Sequence, residues 1–291
     1  MSTESNNTTL PRRVLGRRLR ELREERSLSR THAAQACEMG AQTLWRLESG
    51  RSSEIKRMVI NALCDLYRAS DDDRRELLWL AQESRKDGWW QSYTDAIIPD
   101  RAMFVGLEQS ASRVISWQST LVPGLLQTSE YRRAIWKAEG QPVDIERDVD
   151  MVAKRQERLH DSENFALEVL LSESALRQRI GGTEVMAGQL NQLIEISKLP
   201  NVSIRVVRFD APNHLGLVAK DFVYLEFPDH SNPALTEPPV VYVEGFTGML
   251  YLDKPGETAL YRTAYSDIQR VALDENDTRR LVEAIAKEYA E

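Results

Sequence analysis

Residues 28–51 read LSRTHAAQACEMGAQTLWRLESGR. Ser29 is a favoured helix N-cap, and the run after it keeps its inward positions small, with Ala33, Ala34 and Cys37. Small inward residues let a second helix cross closely at a steep angle. Met39 supplies an apolar plug for the turn, and Gly40 can start a second helix running from Ala41 to about Ser49. Leu44 and Leu47 would face inward, leaving Ala41, Gln42, Thr43, Trp45 and Arg46 outside. Gly50 can then end that helix with a positive φ.

The flanks extend the pattern. From Val14 to Arg26, Leu15, Leu19 and Leu22 share one helical face, with Arg17, Arg18, Arg20 and Arg23 around the remainder. Ile55, Val59, Leu63 and Leu66 predict a further helix over about 53–67. Four or five short helices around one leucine-rich core make a small all-α domain over 13–70. Before it, residues 1–12 are polar and carry Pro11, which predicts a disordered N-terminal arm. After it, SDDDRRELLWLAQESR predicts a connector helix within 71–87.

This stretch, from LGRRLRELREERSLS through LWRLESGR, resembles the DNA-binding domain of the Cro/CI (Xre) repressor family over about residues 13–68. The resemblance implies that the second short helix enters the major groove of double-stranded DNA. Ala41, Gln42 and Arg46 then occupy base-facing positions, and Arg30, Thr43 and Arg51 backbone-facing ones. Arg23 and Glu48 match an ion pair tying the first helix to the end of the recognition helix. The residue types suit the role, since Gln can pair bidentately with adenine and Arg with guanine. Two positions depart from the pattern. Glu38 stands where the turn usually has glycine and Ala33 where leucine is common, which leaves open a strained turn or a shifted recognition helix. A homodimer reading a near-palindromic operator, with recognition helices ~34 Å apart, is the expected assembly.

Charge supports a division of labour. Residues 1–68 hold 13 Lys and Arg against 8 Asp and Glu, a balance of +5, so the remaining 25 and 37 give −12. A basic head on an acidic body suits contact with phosphate through one end. At 291 residues and 42% hydrophobic content the chain has room for a second packed domain. No apolar run approaches the ~20 residues of a membrane span, and the start, MSTESNNTT, lacks a signal-peptide core, so the expectation is a cytoplasmic protein. Cys37 and Cys64 fall on inward helical positions and read as buried thiols. His32, His160, His214 and His230 lack metal-ligand spacing, and neither metal nor cofactor is expected.

Residues 88–291 predict an α+β domain, so the fold class is mixed. Phe104 to Trp117 shows helical spacing, and helices follow over about 128–139, 144–160 and 185–197. Runs at 165–171, 202–209, 222–227, 240–244 and 249–253 predict about five strands, and helices over 257–272 and 275–290 close the chain. GWWQSY at 88–93, LVPGLLQT at 121–128, IGG at 180–182, NVSIRVV at 201–207 and VYVEG at 241–245 resemble the C-terminal domain of a large actinobacterial regulator family. That domain, formerly of unknown function, is described as antitoxin-like. The resemblance implies a regulator that can bind a small BldB-like partner protein. A small-molecule effector is the competing expectation. Trp89, Trp90, Pro123, Leu125, Leu126, Gln127, Tyr242 and Glu244 are the candidates for a ligand or partner surface, or equally for the packing core of this domain. Glu173 and Glu244 lie at strand ends where a catalytic carboxylate can sit. However, no phosphate loop, nucleophile elbow or clustered acid–base frame accompanies them, so no enzyme is expected.

Overall fold

The computed structural model describes residues 9–51, 55–86, 89–93, 99–139, 144–246 and 248–290, and these divide into two compact units. The first is all helical: α1 (Leu10–Glu25), α2 (Arg30–Ala36), α3 (Ala41–Glu48), α4 (Arg57–Tyr67), α5 (Asp71–Glu83) and α6 (Pro99–Ser110). Leu15, Leu19, Ala33, Leu44, Ile60, Leu63 and Leu77, from the first five helices, share one core.

Helix α1 begins earlier than the sequence predicts, because Pro11 fits the first helical turn, where its missing N–H is no loss. Residues 10–12 of the expected arm are therefore helical, and Arg12 is buried with its Nε donating to the Ser84 carbonyl at 3.0 Å. Thr9 is the N-cap residue of this helix, and residues 1–8 of the expected arm lie outside the described residues. The expected connector helix is α5, and it is part of the bundle: Leu77, Leu80 and Ala81 sit in the same core. Ser70 caps it, accepting from the Asp73 N–H at 3.0 Å, and Arg18 of α1 clamps it through Asp73 at 2.9 Å.

Four helices of this unit end in the same way. After α1, α2, α3 and α4, the residues Ser27, Glu38, Gly50 and Arg68 have φ of 53°, 53°, 70° and 50°. In each case the following N–H turns back to a helix carbonyl: Leu28 to Arg23, Met39 to Ala34, Arg51 to Arg46 and Ala69 to Cys64. These are Schellman closures, which favour glycine at the left-handed position. Glu38 thus holds the strained turn conformation that its departure from the family pattern left open, while Ala33 is fully buried in the core.

The second unit is a six-stranded mixed sheet in the order β3-β2-β1-β4-β5-β6, with β1 (Arg113–Gln118), β2 (Ala166–Ser172), β3 (Val202–Val207), β4 (Phe222–Glu226), β5 (Val240–Gly245) and β6 (Gly248–Leu252). β1, β2 and β3 are parallel, and β4, β5 and β6 continue antiparallel from β1. Its helices are α7 (Ser129–Glu139), α8 (Ile145–Gln156), α9 (Glu173–Arg177), α10 (Thr183–Ile196), α11 (Gly216–Ala219), α12 (Pro255–Val271) and α13 (Glu275–Ala290). Tyr265 and Ile268 of α12 pack on Ile115, Trp117, Leu170, Phe222 and Val241.

The helical spacing read over 104–117 holds through Ser110, in α6, and β1 corrects it beyond that point. Val114, Ile115, Ser116 and Trp117 are all buried, so this central strand shows none of the alternation that marks a half-exposed one. The unit boundary also differs from the expected break at residue 88. Residues 98–110 and 228–237 group with the helical unit, because a segment's contacts, rather than its place in the chain, decide where it belongs.

Candidate nucleic-acid interface

Helix α3 is fixed from behind and open in front. Leu44, Leu47 and Glu48 are buried, whereas Ala41, Gln42, Thr43 and Arg46 are exposed and Trp45 is half-buried. The anchor is ionic: Arg23 donates to both oxygens of Glu48, Nε to Oε1 at 2.6 Å and Nη2 to Oε2 at 3.1 Å. Its Nη1 also donates to the Leu28 carbonyl at 2.8 Å, linking α1 to the entry of α2. The hydrogen bonds to Glu48, against the opposing effect of burial, hold the Arg23 guanidinium above its ordinary pKa.

Arg30, expected at a phosphate, stands with Nε 3.2 Å from Glu48 Oε2. A carboxylate with only 2% of its side chain exposed needs more than one partner, and the start of α2 lies close enough to supply it. Arg51 lies just past α3 with its guanidinium 5.3 Å from the centre of the Trp45 ring, a cation–π arrangement that orients an exposed side chain. Lys56 and Arg57, at the start of α4, are also exposed. The backbone places α1 just as tightly: a β-carbon on Gly16 would stand 2.8 Å from the Glu48 carbonyl oxygen.

Much of the basic face of α1 serves the fold. Arg12, Arg13, Arg17, Arg18 and Arg23 each bond a carbonyl or carboxylate within this unit. Cys64 is buried, and loss of solvation pushes its thiol up to about 11, while burial also raises the half-buried Cys37.

The candidate surface residues of the second half are divided between the two units. Trp89 and Trp90 belong to the helical unit, edge to face at 6.1 Å, with Trp90 lying over Gly106 of α6. Leu125, Leu126 and Gln127 are buried in the sheet unit, while Pro123 is half-buried. Around them Gln127 donates to the Val122 carbonyl, Gln189 to Leu126 and Gln156 to Gln127, each at 2.7 Å. Tyr242 is buried against Tyr251, and Glu244 is exposed near the end of β5.

Sequence reading missed a polar cleft of about 380 Å³ in the sheet unit, lined by Arg113, Glu168, Arg205, Arg262 and Tyr265 among others. Within it Arg113 pairs with Glu168, and Tyr265 donates to Glu168 Oε2 at 3.0 Å. Burial, followed by the Glu168 charge, pushes the Tyr265 hydroxyl far up, so it stays protonated. These residues lie far apart in sequence, and no local motif marks them.

Among the described residues no cluster of His, Cys, Asp and Glu is placed to hold a metal ion, and no helix is long and apolar enough to cross a membrane. A helix-turn-helix domain family matches residues 14–77, which cover α1 through the middle of α5 and point to a DNA-binding regulator. No curated protein and no solved structure matches the chain. A second family, described as a domain of unknown function (DUF5753), matches residues 101–284, more than half of the sequence, and the chain therefore belongs to that DUF5753 family, with a helix-turn-helix domain at its head.

Proposed function

We propose that this protein is a sequence-specific transcriptional regulator of the Xre type that binds a near-palindromic operator as a homodimer. Gln42 and Arg46, with Ala41, read base edges, while Arg30, Thr43 and Arg51 contact the backbone. The observation that carries this reading is the asymmetry of α3. Its inner side is locked by Leu44, Leu47 and the Arg23–Glu48 pair, and its outer side presents unburied polar residues.

The decisive experiment is selection of bound fragments from random DNA with the purified protein at near-physiological salt. The expected result is an inverted repeat with half-sites about one helical turn apart. Gln42→Ala and Arg46→Ala should each lose ~1–3 kcal/mol of discrimination at one base pair per half-site. Absence of any enriched sequence, or an equal loss on all sequences for both variants, would reject the base-reading assignment.

In the second unit the cleft lined by Arg113 and Arg262 favours sensing of a small polar effector. The antitoxin-like reading, with a small partner protein, rests on the motif resemblance of that unit. Thermal stabilisation by a metabolite supports the effector, and co-purification of a small protein supports the partner.

A further inference from the structure

Between β4 and β5 the chain makes an excursion, residues 228–237, whose contacts are with the helix-turn-helix bundle. Leu235 is 3% exposed and sits in the bundle core. Arg17 of α1 donates to the carbonyl oxygens of Ala234 and Thr236, both at 2.9 Å, and Arg13 donates to Glu237 Oε1 at 2.7 Å. Asn232 Nδ2 donates to Glu76 Oε2 of α5 at 2.7 Å. The Glu237 side chain is 2% exposed, so its carboxylate depends on the arginines of α1.

The excursion is braced internally. Asn232 Oδ1 accepts from the Ala234 N–H, and Thr236 Oγ1 from the His230 N–H. Neighbouring antiparallel strands such as β4 and β5 need a loop of only about two to five residues, so joining them does not explain this length.

Each end of the excursion leads to a specific set of contacts. On the bundle side, Arg13 and Arg17 flank Gly16, the residue at which α1 backs onto the last turn of α3. On the sheet side, Glu226 ends β4 two residues before Pro228, and its carboxylate is held by Arg113 at 3.2 Å and Arg262 at 3.0 Å. Both arginines line the polar cleft.

We propose that Pro228–Glu237 is a coupling strap that carries the state of the Arg113–Glu226–Arg262 cluster to α1 and, through Gly16, to the recognition helix. A change at that cluster then alters affinity for DNA. The inference rests on the DNA-binding reading for its output but not for its mechanism. Its test therefore includes a readout without DNA.

Hydrogen exchange and operator binding are measured on the full chain in two variants. In one, residues 229–236 become a Gly-Ser segment of equal length; in the other, Glu226→Gln weakens the cluster from within the sheet unit. Both should speed exchange in α1 and the last turn of α3 by roughly tenfold, with β1, β2 and β3 unchanged. Both should shift operator affinity by at least about fivefold. Unchanged exchange in the bundle for either variant overturns the coupling. Faster exchange with no specific DNA binding by the wild-type chain keeps the coupling and rejects the DNA reading. If the Gly-Ser chain does not fold, Arg17→Ala removes the strap's two carbonyl bonds and is judged by the same exchange criterion.

Discussion

Gly16 of α1 lies against the carbonyl of Leu47 in α3, and the approach is so close that a β-carbon on Gly16 would collide with that oxygen and stand 2.8 Å from the next carbonyl, that of Glu48. Both obstacles are backbone, so no side chain can rotate away. Gly16→Ala must therefore push α3 away from α1. The expected cost is ~1–3 kcal/mol, read as a lower urea midpoint, together with weaker operator binding. Unchanged stability and affinity would mean that the two helices can separate freely, and the positioning role of Gly16 would be lost.

Glu38 offers the opposite change. Its φ of 53° puts an L side chain in the left-handed region at the turn between α2 and α3. The side chain is exposed, so removing it leaves no cavity. Glu38→Gly should stabilise the protein by about 1 kcal/mol, less the entropy that glycine adds to the unfolded chain. Differential scanning calorimetry should show a rise of roughly 2–4 °C in the transition of the helical unit. A fall would show that Glu38 makes an interaction worth more than its backbone strain.

The two turns show why some of this protein was legible in its sequence. Helices α2 and α3 could be placed because Ser29, Gly40 and Gly50 act through local rules of capping and φ. The Arg23–Glu48 pair came from resemblance, since nothing local tells an arginine at position 23 that a glutamate 25 residues away is its partner. β1 was hidden because both of its faces are buried. The strap was hidden more completely: PDHSNPALTE reads as a polar loop, and it takes long-range contacts, such as the bonds from Arg17, 217 and 219 residues distant, to reveal that Leu235 belongs to another core.

Asp73 makes the α1–α5 clamp sensitive to acid. Burial alone would raise its pKa, but the hydrogen bonds from Arg18 and Ser70 outweigh that and hold the carboxyl below its ordinary range. A carboxyl with a depressed folded-state pKa contributes stability that is present above its unfolded value, near ~3.9, and is lost as pH falls through the folded value. Asp73→Asn should thus be less stable than wild type by ~0.5–1 kcal/mol at pH 7. That gap should narrow below about pH 4, as urea titrations at several pH values would reveal. A gap independent of pH would assign the effect to capping by Ser70 instead of to the ion pair.

Arg51 offers a test of the proposed split between backbone contact and base reading. Its main chain is fixed by the left-handed Gly50, with its N–H donating to the Arg46 carbonyl at 2.8 Å, and its guanidinium lies over Trp45. A guanidinium held in this way just beyond α3 can neutralise one phosphate without meeting a base edge. Arg51→Ala should weaken binding to specific and random duplexes by a similar factor and reduce the slope of log K against log salt by about 1. Trp45→Leu should reproduce part of the affinity loss while leaving the slope nearly unchanged, because the charge remains and only its orientation is released. If Arg51→Ala instead relaxed the preference at a single base pair with no change in slope, Arg51 would be a base reader, and the division of roles along α3 would have to be redrawn.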